Sequence, residues 1–261
     1  IKSKEKMNIK DLVTSKNQAL FDRVNAVYKV VLKPGSGTWG SVVINETANI
    51  SYTATSYPEE SFTHELLHID TQINGYRRIR TGVSLQKTTQ NALPNIVNCL
   101  DNEFQHHKMY KAFEDMKYAP DRFYHDSDTE TLNYLKKVLE NKGMDLMRIL
   151  PQYFTVIAPG GAMTEDERAE IKKNFHEYNN GIHKVQLQKI DAIIEAWKND
   201  NSYDAEPYIK QTCNLMDNIK TWITYENLSG INDENFPSTG FFTDKKFTID
   251  DVTKVHGKKT A

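Results

Sequence analysis

One turn of chain, His64-Glu65-Leu66-Leu67-His68, constrains the fold more than any other stretch. Residues four apart stack on one face of a helix, so both imidazoles can address a single point only if the turn is helical. With His64 at the origin of a helical wheel, Phe62, Leu66, Ile69 and Ile73 gather on the opposite side. The segment is then a helix with one apolar face and one imidazole-bearing face. Two imidazoles at this spacing suit a tetrahedral zinc ion. Glu65 is rotated by about 100° from His64, which keeps it off the ion and within reach of a water there. The set points to zinc-dependent hydrolysis, with a zinc-bound water activated by Glu65 as general base attacking a carbonyl.

Around this helix the pattern is mixed and then helical. A short helix is expected over Lys16 to Ala26, followed by β-rich runs at Val27 to Leu32, Ser41 to Asn45 and Asn49 to Thr55, with turn chemistry at Pro34-Gly35-Ser36-Gly37 and Glu46-Thr47-Ala48. These runs form a small antiparallel sheet in this reading. Pro58 opens the metal-binding helix, Glu59 to Asn74, and Gly75 closes it. Helical segments are then expected near Thr89 to Tyr118, Asp128 to Asn141, Met144 to Thr155, Glu165 to Tyr178, His183 to Lys198 and Ala205 to Tyr225, with a capping box at Thr164 and Glu167 and a β-like run at Phe241-Phe242-Thr243. The fold class is α+β, predominantly helical. Residues 1–120 form the metal-binding half and 121–261 a helical half forming the other wall of a cleft, the two making one continuous unit.

A catalytic zinc takes three protein ligands and keeps a position open. The best source of the third is the run Asn98 to His107 on the following helix. With Glu103 at the origin, Ile96, Cys99, Leu100 and Tyr110 lie within about 60° of it, so Glu103 is a carboxylate on an apolar face. Asp101 falls on the opposite, hydrophilic side with Lys108. Glu103 is therefore the leading third ligand. His107, one turn on, either replaces it or orients a ligand through its other ring nitrogen; His106, on the shoulder of the face, ranks third. For stabilising a developing oxyanion, the downstream candidates are His176, Tyr178 and His183, or Tyr124 and His125.

These residues resemble the zincin metallopeptidases, in particular the gluzincin type, in which HExxH gives two ligands and a glutamate on a later helix the third. Asn102-Glu103 is similar to the pair that opens the second gluzincin motif. The resemblance covers about Asn49 to Tyr118 and implies His64, His68 and Glu103 as ligands of Zn2+, Glu65 as base, and a sheet whose edge strand binds an extended peptide. Asn49 to Thr55 occupies the position of that edge. The chain departs from the family at His107, where an aspartate is usual, and at Asp70, where an apolar residue is common. A metzincin extension is excluded, because it needs glycine at position 71 and histidine at 74, where the chain has Thr71 and Asn74.

Composition narrows the partners. A formal charge of −2, from 33 basic and 35 acidic side chains, gives no electrostatic footing for nucleic acid or a membrane surface. A peptide or protein substrate is expected instead. Two cysteines, Cys99 and Cys213, favour a reducing, cytoplasmic setting, with a single bridge as the alternative and secretion the other setting if an N-terminal signal was trimmed. The functional reading is a zinc metallopeptidase. The alternatives are a zincin-scaffold binding or regulatory protein with little turnover, and a helical interaction module.

Overall fold

The computed structural model describes residues 7–124, 131–216, 221–225, 240–244, 248, 250–251 and 254. The chain begins with α1 (Ile9–Leu12) and α2 (Gln18–Val27), then β1 (Lys29–Pro34), β2 (Gly40–Ile44) and β3 (Thr47–Tyr52). Asn45 and Glu46 both take positive φ, 45° and 61°, which gives the tight β2–β3 hairpin the right-handed twist its strands need. The sheet order is β1-β3-β2. β3 runs antiparallel to β2 but parallel to β1, so the sheet is mixed rather than antiparallel. The connection after β1 passes over the width of one strand, and the hairpin folds β3 back into that gap. Asn49 to Thr55 is consequently not an edge. β3 is central, with Ala48 and Ile50 fully buried, and β2 is the edge that packs beside the next helix.

That helix, α3 (Pro58–Ile73), starts with Pro58 in its first turn and ends before Gly75 at φ +107°, a left-handed stop that suits glycine. Every residue from Ser61 to Thr71 is buried, between α2, β2 and α4. The face expected to be polar is therefore not solvated, and each polar group on it needs a partner inside the protein. Asn17 shows the pattern: buried, it donates to Leu12 O and to Thr63 Oγ1, both at 2.9 Å.

β4 (Ile79–Ser84) and α4 (Lys87–Asp115) follow, then a 3₁₀ turn at Pro120–Arg122, α5 (Thr131–Glu140), α6 (Leu146–Ile157), α7 (Glu165–Gly181), α8 (Lys184–Asn199), α9 (Glu206–Leu215), β5 (Thr221–Tyr225) and β6 (Gly240–Phe242). The α+β, predominantly helical class holds. The capping box at Thr164 and Glu167 forms as its spacing predicts. Residues 128–130, expected to open the fifth helix, lie outside the described residues. The tail of the last expected helix is instead strand: Thr221–Tyr225 pairs antiparallel with both β4 and β6. All five residues are buried, and a short run buried on both faces has no alternation to tell it from a helix turn.

Two apolar cores result. One gathers Leu20, Val24, Ile50, Phe62, Leu66, Phe113 and Phe123 around α3 and the first sheet. The other gathers residues from Tyr76 to Phe241, including Leu93, Phe104, Ile149, Phe154, Ile190 and Trp197. They do not divide the chain at residue 120, because β4 and the first half of α4 pack with the second half. α4 runs through both, contributing Phe104 to one and Met109 to the other. Among the described residues no helix is long and apolar enough to cross a membrane, and Cys99 and Cys213 are free thiols.

Candidate metal centre

α3 and α4 lie side by side, and the stretch of α4 between the two cores faces the His64–His68 turn. His64 Nε2 and His68 Nε2 are 3.1 Å apart. His106 completes a triangle, with ring centroids 4.9, 5.0 and 5.1 Å from one another. One ring nitrogen from each of the three lies within 4.8 Å of the others, and all three side chains are buried. Two nitrogens bound tetrahedrally at about 2.0–2.1 Å stand about 3.3 Å apart, so the observed spacing suits one small ion. Burial holds the His68 imidazole well below its ordinary range and His106 down to about 3. Both are neutral near pH 7, the form a metal requires. This buried cluster could hold a metal ion.

Hydrogen bonds fix which nitrogen each ring presents. Gln105 donates through Nε2 to Asp101 Oδ2 at 2.9 Å and to Asp101 O at 3.2 Å. Neither oxygen can donate back, so the amide orientation is settled and Gln105 Oε1 faces His68 Nδ1 at 3.1 Å. Nδ1 must then carry the proton, leaving the Nε2 lone pair toward His64. On the other side, His106 Nδ1 meets the Tyr124 hydroxyl at 2.7 Å, and that hydroxyl also bonds the Glu103 carboxyl. With the hydroxyl donating to the carboxylate, His106 Nδ1 carries a proton and Nε2 is free to bind. Each of these imidazoles thus ends a relay that begins at a carboxylate on α4, the arrangement that orients metal-binding histidines.

The order expected from the wheel, Glu103 before His107 before His106, is not the order of proximity. His106 joins the two α3 imidazoles, whereas Glu103 stands beside it, Oε1 lying 3.8 Å from His106 Nδ1. His107 is outside the cluster, and neither of its ring nitrogens has a hydrogen-bond partner among the described residues. Relative to Glu103, His106 is offset by about 60° to one side and Leu100 by the same angle to the other; the wheel already admitted Leu100 to the inner face. Asp101 also corrects the wheel. It is 3 % exposed, accepting from Ile79 N at 2.8 Å, Arg78 Nε at 3.2 Å and the Tyr76 hydroxyl at 3.2 Å. Only the return of the chain through β4 brings those donors in. Arg78 and Gln105 carried no spacing signal of their own.

Glu65 is buried, and its carboxyl meets Ser41 on the edge strand β2. Burial raises its carboxyl to about 7, against the opposing effects of a hydrogen bond from Ser41 on β2 and the charge of Arg78. Arg78 also donates to Ser41 O at 3.1 Å, tying β2 to the same network.

Of the downstream candidates, Tyr124 reaches the centre, its ring 5.0 Å from His106 and 6.4 Å from His64. Phe123 packs against the His64 ring at 4.7 Å, and His125 lies outside the described residues. The other set is remote: His176 bonds Tyr153 Oη at 2.8 Å, Tyr178 donates to Asn141 O, and His183 bonds Met144 O. Beside Glu103 opens a cavity of about 240 Å³, lined also by Tyr124, Thr155, Arg168 and the Ala158–Met163 loop. Comparison with family models, curated proteins and solved structures finds no match to this chain.

Proposed function

We propose that the chain is a zinc-dependent metallopeptidase of zincin type, in which His64, His68 and His106 hold the ion and Glu65 is the general base. The observation that carries this reading is the buried meeting of three imidazoles, two of them from a turn that also supplies a buried carboxylate. Zinc held by these three imidazoles would lower the pKa of a coordinated water toward about 7 and polarise a carbonyl. Glu65, with its carboxyl near 7, is matched to taking a proton at neutral pH and returning it to a leaving amine. Ser41 and Arg78 hold that carboxylate in place. Because Ser41 lies on the edge strand β2, an extended peptide added to that edge would pass Glu65, which favours a peptide substrate. Tyr124, on the opposite side, orients His106 through the hydroxyl that meets its Nδ1.

A zinc-binding regulatory protein would also use the three histidines, but it has no use for Glu65. Placing a carboxylate in the interior costs free energy that only a function or a partner offsets. The test is zinc content together with cleavage of a mixed peptide pool by the parent and by Glu65→Gln. Equal zinc, with cleavage at least about 100-fold slower in the variant, is expected. Equal cleavage by both, or a parent that holds zinc and cleaves nothing, would contradict the enzymatic reading.

A further inference from the structure

We infer that the cavity beside Glu103 is a subsite for an ammonium group of the substrate, a conclusion that rests on the peptidase reading for its place in catalysis. Glu103 is 8 % exposed, and its Oε2 is buried without a hydrogen-bond partner among the described residues. Its other oxygen lies near His106. A bare carboxylate oxygen inside a protein is costly until a donor meets it, and the cavity is the space from which a donor can arrive.

The rest of the lining selects the donor. Arg168 is the other charged group among the described lining residues, and it is tied to the wall: Nη1 donates to Val156 O and Ala158 O at 2.7 Å each, and Nη2 to Gly160 O at 2.5 Å. It holds the wall in shape, and its charge is turned toward three carbonyl dipoles. The wall itself is small and close-fitting. Gly160 has φ +74°, and a Cβ there would come within 2.8 Å of the Tyr110 ring and 2.9 Å of Pro120 O. The space of about 240 Å³ accommodates a compact ammonium with its three hydrogens. That ammonium is either the free N-terminus of a peptide or a lysine side chain. In either case the group is anchored next to the imidazole cluster, so it also sets which bond is presented there.

The experiment measures binding rather than turnover, by calorimetry on the full chain carrying Glu65→Gln, with and without zinc. The probes are leucinamide (free α-ammonium), Nα-acetyl-lysinamide (side-chain ammonium) and Nα-acetyl-norleucinamide (neutral). One ammonium probe should bind at least about 10-fold more tightly than the neutral probe, and which one does so names the source. Adding Glu103→Gln should reduce that preference to under about twofold, in the zinc-free chain as in the zinc-loaded one. Ala162→Leu, on the exposed rim of the wall, should weaken the same probe without touching the carboxylate, and it serves as the control should Glu103→Gln fold poorly. Equal binding of all three probes, a preference that survives Glu103→Gln, or no effect of Ala162→Leu would overturn the inference. A chain that binds no zinc yet keeps the ammonium preference would instead overturn the peptidase reading and leave the subsite standing.

Discussion

Asp101 and Glu103 stand two residues apart on α4, and both are buried, yet their surroundings differ sharply. Asp101 accepts from a backbone amide, a guanidinium, a phenol and the Gln105 amide. Glu103 has the Tyr124 hydroxyl and one oxygen without a hydrogen-bond partner among the described residues. Both sit at the root of a relay, one through Gln105 to His68 and the other through Tyr124 to His106. A carboxylate whose acceptors are all used is scaffold. One left incomplete beside a cavity and an imidazole cluster is a place where something binds.

That contrast can be broken by substitution. Asp101→Ala strands Arg78 and the Ile79 amide in the interior and should cost about 3–5 kcal/mol, read from the denaturant midpoint of the zinc-free chain. Glu103→Gln should change the same midpoint by no more than about 1 kcal/mol, because little is bonded to the group it alters. Equal losses would mean that both carboxylates are structural. At the ends of the relays, His106→Ala should weaken zinc binding by at least about 100-fold, beyond the usual effect of an orienting residue. His107→Ala should change it by less than about threefold, with competition against a chelator reading both. The reverse order would return the third ligand to the neighbour.

A further effect is expected in pH dependence. His68, His106 and His107 are all held below the ordinary histidine value of 6.5, the last two at about 3. The unfolded chain therefore binds more protons as pH falls from 6.5 toward 3, and stability is lost across that range. Glu65 and Glu103 are raised from 4.5 to about 7 and about 8. Here the folded chain holds the extra protons, so the stability they contribute is present below 4.5 and is lost as pH rises through 7 to 8. The melting temperature of the zinc-free chain should peak between the two limbs and decline on both sides. Glu103→Gln should flatten the alkaline limb, leaving the part due to Glu65. A melting temperature that climbs steadily to pH 8 would contradict the burial of both carboxyls.

What could be read from the sequence follows the same division. The α3 helix, its glycine stop, the hairpin strands and the α7 cap are set by residues within a few positions of one another, so periodicity and turn chemistry reveal them. β3 is central because β1 lies parallel to its far side, and Thr221–Tyr225 is a strand because β4, far along the chain, pairs with it; no local pattern encodes either. The site divides likewise. His64, Glu65 and His68 share one turn, but the choice among Glu103, His106 and His107 depends on how α4 faces α3. A wheel drawn around one helix sees its apolar side and not the point on that side where a neighbouring helix brings two imidazoles. Asp101 seemed hydrophilic for the same reason, since its partners arrive with β4.

The most direct test of the account is X-ray absorption at the zinc edge on the zinc-loaded chain and on His106→Ala. The account predicts a four-coordinate ion with three imidazoles at about 2.0–2.1 Å and one oxygen from solvent, and the loss of one imidazole in the variant. An ion with two imidazoles and a carboxylate, unchanged by His106→Ala, would contradict it, as would a chain that takes up no zinc.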